Sequence, residues 1–164
     1  MAGPQFVHLH VHSSYSLLEG ALTIARLAEL AKADRQPALA LTDTDNMFGA
    51  LEFSDKMASA GIQPIIGWFT AIDFGDQDNG LRQVQGPARE WPRLVLLAMN
   101  DEGYRNLMVL SSRAFLDSPP NERPHLKLAT LESHSGGLIA LTGGPNGPLD
   151  QAIVAGQAHL VATR

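Results

Sequence analysis

Hydrophobic positions along the chain fall into short continuous runs separated by stretches with helical spacing. Phe6 to Val11 reads as a first strand. Thr23 is placed to cap a helix in which Ile24, Leu27, Ala28 and Ala31 recur on one face. Ala38 to Leu41, entered through Pro37, is apolar throughout and too short for a helix. Met47, Ala50, Leu51, Ser54 and Ala58 trace a second helical face, which Gly61 is placed to end. Pro64 to Gly67, extended to Phe74, predicts a third strand, and Leu94 to Ala98 a fourth. Asp101 and Glu102 then favour a helix N-terminus, with Tyr104, Leu107, Met108, Ser111 and Phe115 on its apolar face. Leu138 to Leu141 predicts the last strand, followed by the turn Gly143-Gly144-Pro145-Asn146-Gly147 and a weak helix from Leu149. Strand and helix alternate, and the strands are unbroken apolar runs. An α/β fold is predicted, with parallel strands and covering helices. Residues 75–90 and 117–124, rich in Gly, Gln, Asp and Pro, read as exposed excursions.

Composition narrows the class. The chain has 164 residues, 45% hydrophobic, with Gly 15 and Pro 10, enough apolar material for a core and unlike a fibrous or disordered chain. No apolar run approaches the roughly 18 residues of a membrane span, and Met1 to Phe6 lacks the pattern of a secretory signal. Cysteine is absent, so neither disulfides nor thiolate metal sites are available, in keeping with a reducing, cytoplasmic setting. The net charge of −5 argues against a nucleic-acid clamp, which needs a basic stripe.

Candidate chemistry concentrates near the N-terminus. In His8-Leu9-His10-Val11-His12, strand alternation would set three imidazoles roughly 6 to 7 Å apart along one face, with Leu9 and Val11 toward the core. Imidazoles so arranged make half a coordination shell for a zinc- or manganese-type ion, and a solvated, hydrogen-bonded strand end is the alternative. Thr42-Asp43-Thr44-Asp45-Asn46 follows the second strand, where ligands bind in parallel α/β sheets. Asp43 there could ligate a metal or form a turn, and Asp45 or Asn46 could cap the next helix. Glu19 is a third acidic candidate or a solvated loop carboxylate. His125, His134 and His159 read as structural or exposed, and the Gly143 to Gly147 turn lacks the Lys-Ser/Thr ending of a phosphate loop. No nucleophile-elbow serine is present.

The segment Phe6 to Gly20, followed in order by Pro37 to Asp43, Asn46 to Phe53, Gly61 to Gly67, Gly103 to Leu107 and Gly137 to Gly143, resembles the polymerase and histidinol phosphatase (PHP) domain. The likeness is to the replicative form at the N-terminus of bacterial DNA polymerase III alpha subunits. It implies a distorted β/α barrel with a metal cluster, zinc or manganese, at the strands' carboxyl ends, a cluster able to hydrolyse phosphoesters and credited with 3′-5′ exonuclease activity. Position by position, it implies metal ligands at His10, His12, Glu19 and Asp43, with His8 as a further candidate.

The departures from the family pattern are as specific. Where the second motif reads Thr-Asp-His-Gly-Asn, this chain has Thr44 and Asp45 in the third and fourth places. Phe69 replaces an acidic residue, Arg93 a histidine and Gly144 a cysteine, and the late Asp-x-His pair would lie beyond Arg164. These replacements imply a degenerate site with weak or lost metal, in a module that serves its parent polymerase structurally or by docking the proofreading exonuclease subunit. The competing expectation is a metal-dependent phosphoesterase or 3′-5′ exonuclease using the residual ligands. On either reading, nucleotide addition, its magnesium ions and contact with DNA belong to the remainder of the alpha subunit. A β/α barrel takes about 250 residues, so residues 1–164 are expected to be the first part of one.

Overall fold

The Thr23 side chain accepts a hydrogen bond from the Arg26 amide and caps α1 (Ile24–Ala33), whose buried face is the expected Ile24, Leu27, Ala28 and Ala31. The computed structural model describes residues 6–75 and 91–162. β1 (Ala38–Leu41) follows, then α2 (Ala50–Ala60), which ends at Gly61 in the left-handed conformation (φ +76°). β2 (Gln63–Asp73) and β3 (Arg93–Ala98) form the centre of the sheet. α3 (Asp101–Asp117) starts at Asn100, whose side chain accepts from the Gly103 amide. The short β4 (Leu126–Lys127) and α4 (Leu128–Ser133) lead to β5 (Leu138–Leu141). A 3-10 turn (Gly144–Asn146), α5 (Pro148–Val154) and α6 (Ala158–Val161) complete the described chain.

The α/β class holds, and the strand directions need correction. The sheet runs β1-β2-β3-β5, with β4 added beside the end of β2. β1 and β4 pair with β2 in parallel, but β2 with β3 and β3 with β5 are antiparallel. An unbroken apolar run reports burial on both faces of a strand, and burial carries no information about direction. Most of the excursion expected at residues 75–90 lies outside the described residues; of the one expected at 117–124, Asp117 ends α3 and residues 119–123 are exposed.

The first strand is also absent. Residues 6–12 run beside β1 without forming a strand and bend at Leu9, held by bonds from the Ala40 amide to the His8 carbonyl (2.9 Å) and from the Thr42 amide to the Val11 carbonyl (2.9 Å). Three residues on this segment span two on β1. The extra residue shifts the side-chain alternation, as a bulge does.

Two helical faces are rotated from expectation. α2 buries Ala50, Phe53 and Met57 and leaves Leu51 75% exposed. α3 buries Gly103, Leu107, Leu110 and Ala114, while Met108 and Phe115 are exposed. Both helices carry two overlapping apolar stripes at helical spacing, so periodicity alone could not choose between them. In α3 the choice is made by Gly103, which packs backbone to backbone on Gly137 just before β5.

One core cluster joins α1, α2 and β1 around Ile24, Phe53 and Met57, and another joins α3 to the sheet around Trp68, Leu96 and Leu110. The third, Ala40, Phe69, Val95 and Leu97, occupies the sheet's opposite face. That face floors the functional cavity.

Candidate functional site

A cavity of about 700 Å³ opens over this third cluster, with His10, His12, Glu19, Phe69 and Arg93 on its walls. The imidazoles of His10 and His12 meet edge to face, centroids 4.7 Å apart, and the Phe69 ring lies 4.7 Å from His10 and 5.7 Å from His12. His8 is not with them: after the bulge it faces the other side, in a smaller groove with Val11, Leu27 and Leu39. The expected triplet is therefore a pair.

Hydroxyl groups orient that pair from behind. His10 Nδ1 is 2.8 Å from Thr42 Oγ1, and His12 Nδ1 is 3.1 Å from Ser16 Oγ. The pKa of His10 is lowered, first by burial and then by the neighbouring His12, with Glu19 opposing the shift. The neutral imidazole is favoured.

Asp43 does not reach the cavity. It is 1% exposed, and its oxygens accept from the Ser13 amide (2.6 Å), the Ser13 hydroxyl (2.7 Å) and the Ser16 hydroxyl (2.6 Å). It ties the loop after residue 12 to the end of β1. Glu19 lines the cavity and accepts a hydrogen bond from the Thr44 hydroxyl.

The replaced family positions meet one another. Asp45, left-handed at φ +57°, pairs in bidentate fashion with Arg93, Nη1 to Oδ1 at 2.9 Å and Nη2 to Oδ2 at 3.1 Å. The Arg93 guanidinium carbon stands 5.4 Å from the Phe69 ring centroid, within cation–π range. Among the described residues, no group of three His, Cys, Asp or Glu side chains is arranged to hold a metal ion.

Several cavity residues escape sequence reading: Trp91, Arg123 and Gln151 all line it. The Thr142 to Asn146 turn lines it too, and was legible through Gly144, which stands at the place of a family cysteine beyond the carboxyl end of a strand. Trp91 stacks on the buried ring of His125 (centroids 4.8 Å), so His125 supports the wall, while His134 lies outside it.

Comparison with known proteins gives this arrangement its class. The PHP domain matches residues 8–163, and the chain belongs to that family. Its relatives are more particular: it is 44% identical over 159 residues to the DNA polymerase III subunit alpha of Caulobacter vibrioides, covering 94% of this chain and 13% of that protein. It is 42% identical over 157 residues to the subunit of the same name from Treponema pallidum, covering 96% and 13%. The chain thus spans about an eighth of the length of these relatives. Among solved structures, an amidohydrolase from Chromobacterium violaceum aligns over 65% of this chain and 34% of its own, at 25% identity and a TM-score of 0.45. Among the described residues, no helix is long and apolar enough to cross a membrane.

Proposed function

We propose that this chain is the N-terminal PHP module of a bacterial replicative DNA polymerase III alpha subunit, and that its cavity has exchanged a metal cluster for an ion pair supplied by the protein. The carrying observation is the Arg93 guanidinium, bound to Asp45 and set against Phe69 on the cavity wall. A guanidinium has no lone pair to offer a metal, and this one, its charge balanced by Asp45, stands where the family pattern has a ligating histidine. The remaining donors do not fit a multinuclear cluster: two imidazoles and Glu19 face the cavity, while Asp43 is engaged by serines. The module would then support the remainder of the polymerase chain, which carries the nucleotide-adding site and its magnesium and makes the DNA contacts. Docking of the proofreading exonuclease subunit, implied by the resemblance, is the partner role that accords with such a module.

Calorimetric titration of the full chain with zinc and manganese tests this. No saturable binding at micromolar metal is expected. Stoichiometric binding that His10→Ala abolishes would overturn it in favour of the second reading, a phosphoesterase or 3′-5′ exonuclease working through residual ligands. That reading draws on the convergence of His10, His12 and Glu19 on one cavity. Metal-dependent release of phosphate or nucleotide, lost in the same variant, is its signature.

A further inference from the structure

Ser16 has one hydroxyl hydrogen and three polar neighbours, and that count determines the state of His12. The Thr44 amide donates to Ser16 Oγ at 3.0 Å. Asp43 Oδ1 lies 2.6 Å from the same oxygen, and His12 Nδ1 lies 3.1 Å from it. A charge-assisted hydrogen bond to a carboxylate is about twice as strong as one between neutral groups. The shorter contact is the carboxylate, which is buried from bulk solvent. The Ser16 hydrogen is therefore committed to Asp43, and Ser16 Oγ can meet His12 only as an acceptor. His12 Nδ1 must carry the ring hydrogen, which leaves Nε2 with a bare lone pair in the neutral ring.

We infer that Ser16, braced by Asp43, is a positioning residue that fixes the tautomer of His12 and presents an unprotonated Nε2 to the cavity. The geometry supports the direction. Ser16 and Asp43 are buried, at 1% exposure each, whereas the His12 ring lines the cavity. Among the described residues, no group bonds to His12 Nε2.

The consequence is chemical selectivity. An atom approaching His12 there must donate a hydrogen bond or accept an electron pair, so a hydroxyl or amine is favoured and a bare oxyanion is not. His10 does not yield the same deduction, because the Thr42 hydroxyl can donate either to the Val11 carbonyl (3.2 Å) or to the ring (2.8 Å). The inference concerns the hydrogen's place in a neutral ring, and it stands whether or not the cavity binds cations.

Long-range proton-nitrogen correlation spectra of the full chain, recorded without metal and with the histidines neutral, distinguish the tautomers directly. Protonated and bare ring nitrogens resonate far apart. The expected wild-type result is hydrogen on Nδ1 of His12 and a bare Nε2. Ser16→Ala should move the hydrogen toward Nε2 and Ser16→Thr should restore it, with His134 unchanged as an internal reference. A merely structural role for Ser16 would lower stability and leave the His12 signature as it was. A wild-type ring protonated at Nε2, or an unchanged signature in Ser16→Ala, overturns the assignment. Should Ser16→Ala not fold, the wild-type spectrum decides alone.

Discussion

Arg93 and Asp45 are partners 48 positions apart in sequence, joined by two hydrogen bonds at the cavity wall, and each stands where the PHP pattern has a different residue. The pattern's glycine at position 45 suits the left-handed backbone found there, at φ +57°. Aspartate is among the few other residues that tolerate this region. Its carboxylate neutralises the guanidinium that replaces a histidine at position 93. Two departures that look independent in the sequence are one compensated change in the structure.

A double-mutant cycle on this pair should show strong coupling. The side chains are 15% and 21% exposed, so losing one partner leaves the other charge poorly solvated. Arg93→Ala and Asp45→Gly should each lower stability, and the double variant should fall short of their sum by about 1 to 2 kcal/mol in urea unfolding. Additive effects would show that the two sites are energetically separate.

Phe69→Ala should be among the costliest single changes at the cavity. The ring is 5% exposed, belongs to the third core cluster and touches both histidines as well as Arg93. Truncation removes apolar contact and leaves a void, a loss of about 3 kcal/mol. A shift in the unfolding midpoint worth less than about 1 kcal/mol would mean that the ring is only loosely packed.

Gly103→Ala should disrupt the junction of α3 and β5. A Cβ at Gly103 would overlap the Gly137 carbonyl, and backbone on both sides leaves no flexible group to yield. Overpacking of this kind costs about 1 to 3 kcal/mol or more. An equally stable alanine variant, measured by thermal unfolding, would contradict this close approach.

His10 should impart a pH dependence to stability. Its folded pKa lies below the ordinary value of 6.5, so below that pH the unfolded chain binds more protons at this site. The contribution is fully present above 6.5 and is lost as pH falls through the folded pKa. In metal-free buffer, His10→Gln should unfold with a weaker dependence on pH across this range. Identical pH profiles for the two proteins would contradict the shift.

Much of this was legible because the signals are local. The Thr23 cap, the Gly61 stop, the buried face of α1 and the strand cores at 38–41, 94–98 and 138–141 follow from side-chain chemistry within one turn or one strand. The family motifs likewise pointed to His10, His12 and Glu19, which the fold brings to one cavity. The separation of His8 was not legible, because it follows from one extra residue in the pairing with β1.

By itself, then, the sequence determined the α/β class and the family, and it named His10, His12 and Glu19, which share one cavity. Tertiary structure alone decided strand direction, which stripe of α2 and α3 is buried, and how the polar groups are divided. It placed Asp43 behind the site among serines, Asp45 on Arg93 and Phe69 against the imidazoles. The physical reason is that each of these outcomes is a competition among partners far apart in the chain. A carboxylate's role is set by the donors that reach it first, and only the fold fixes which donors those are.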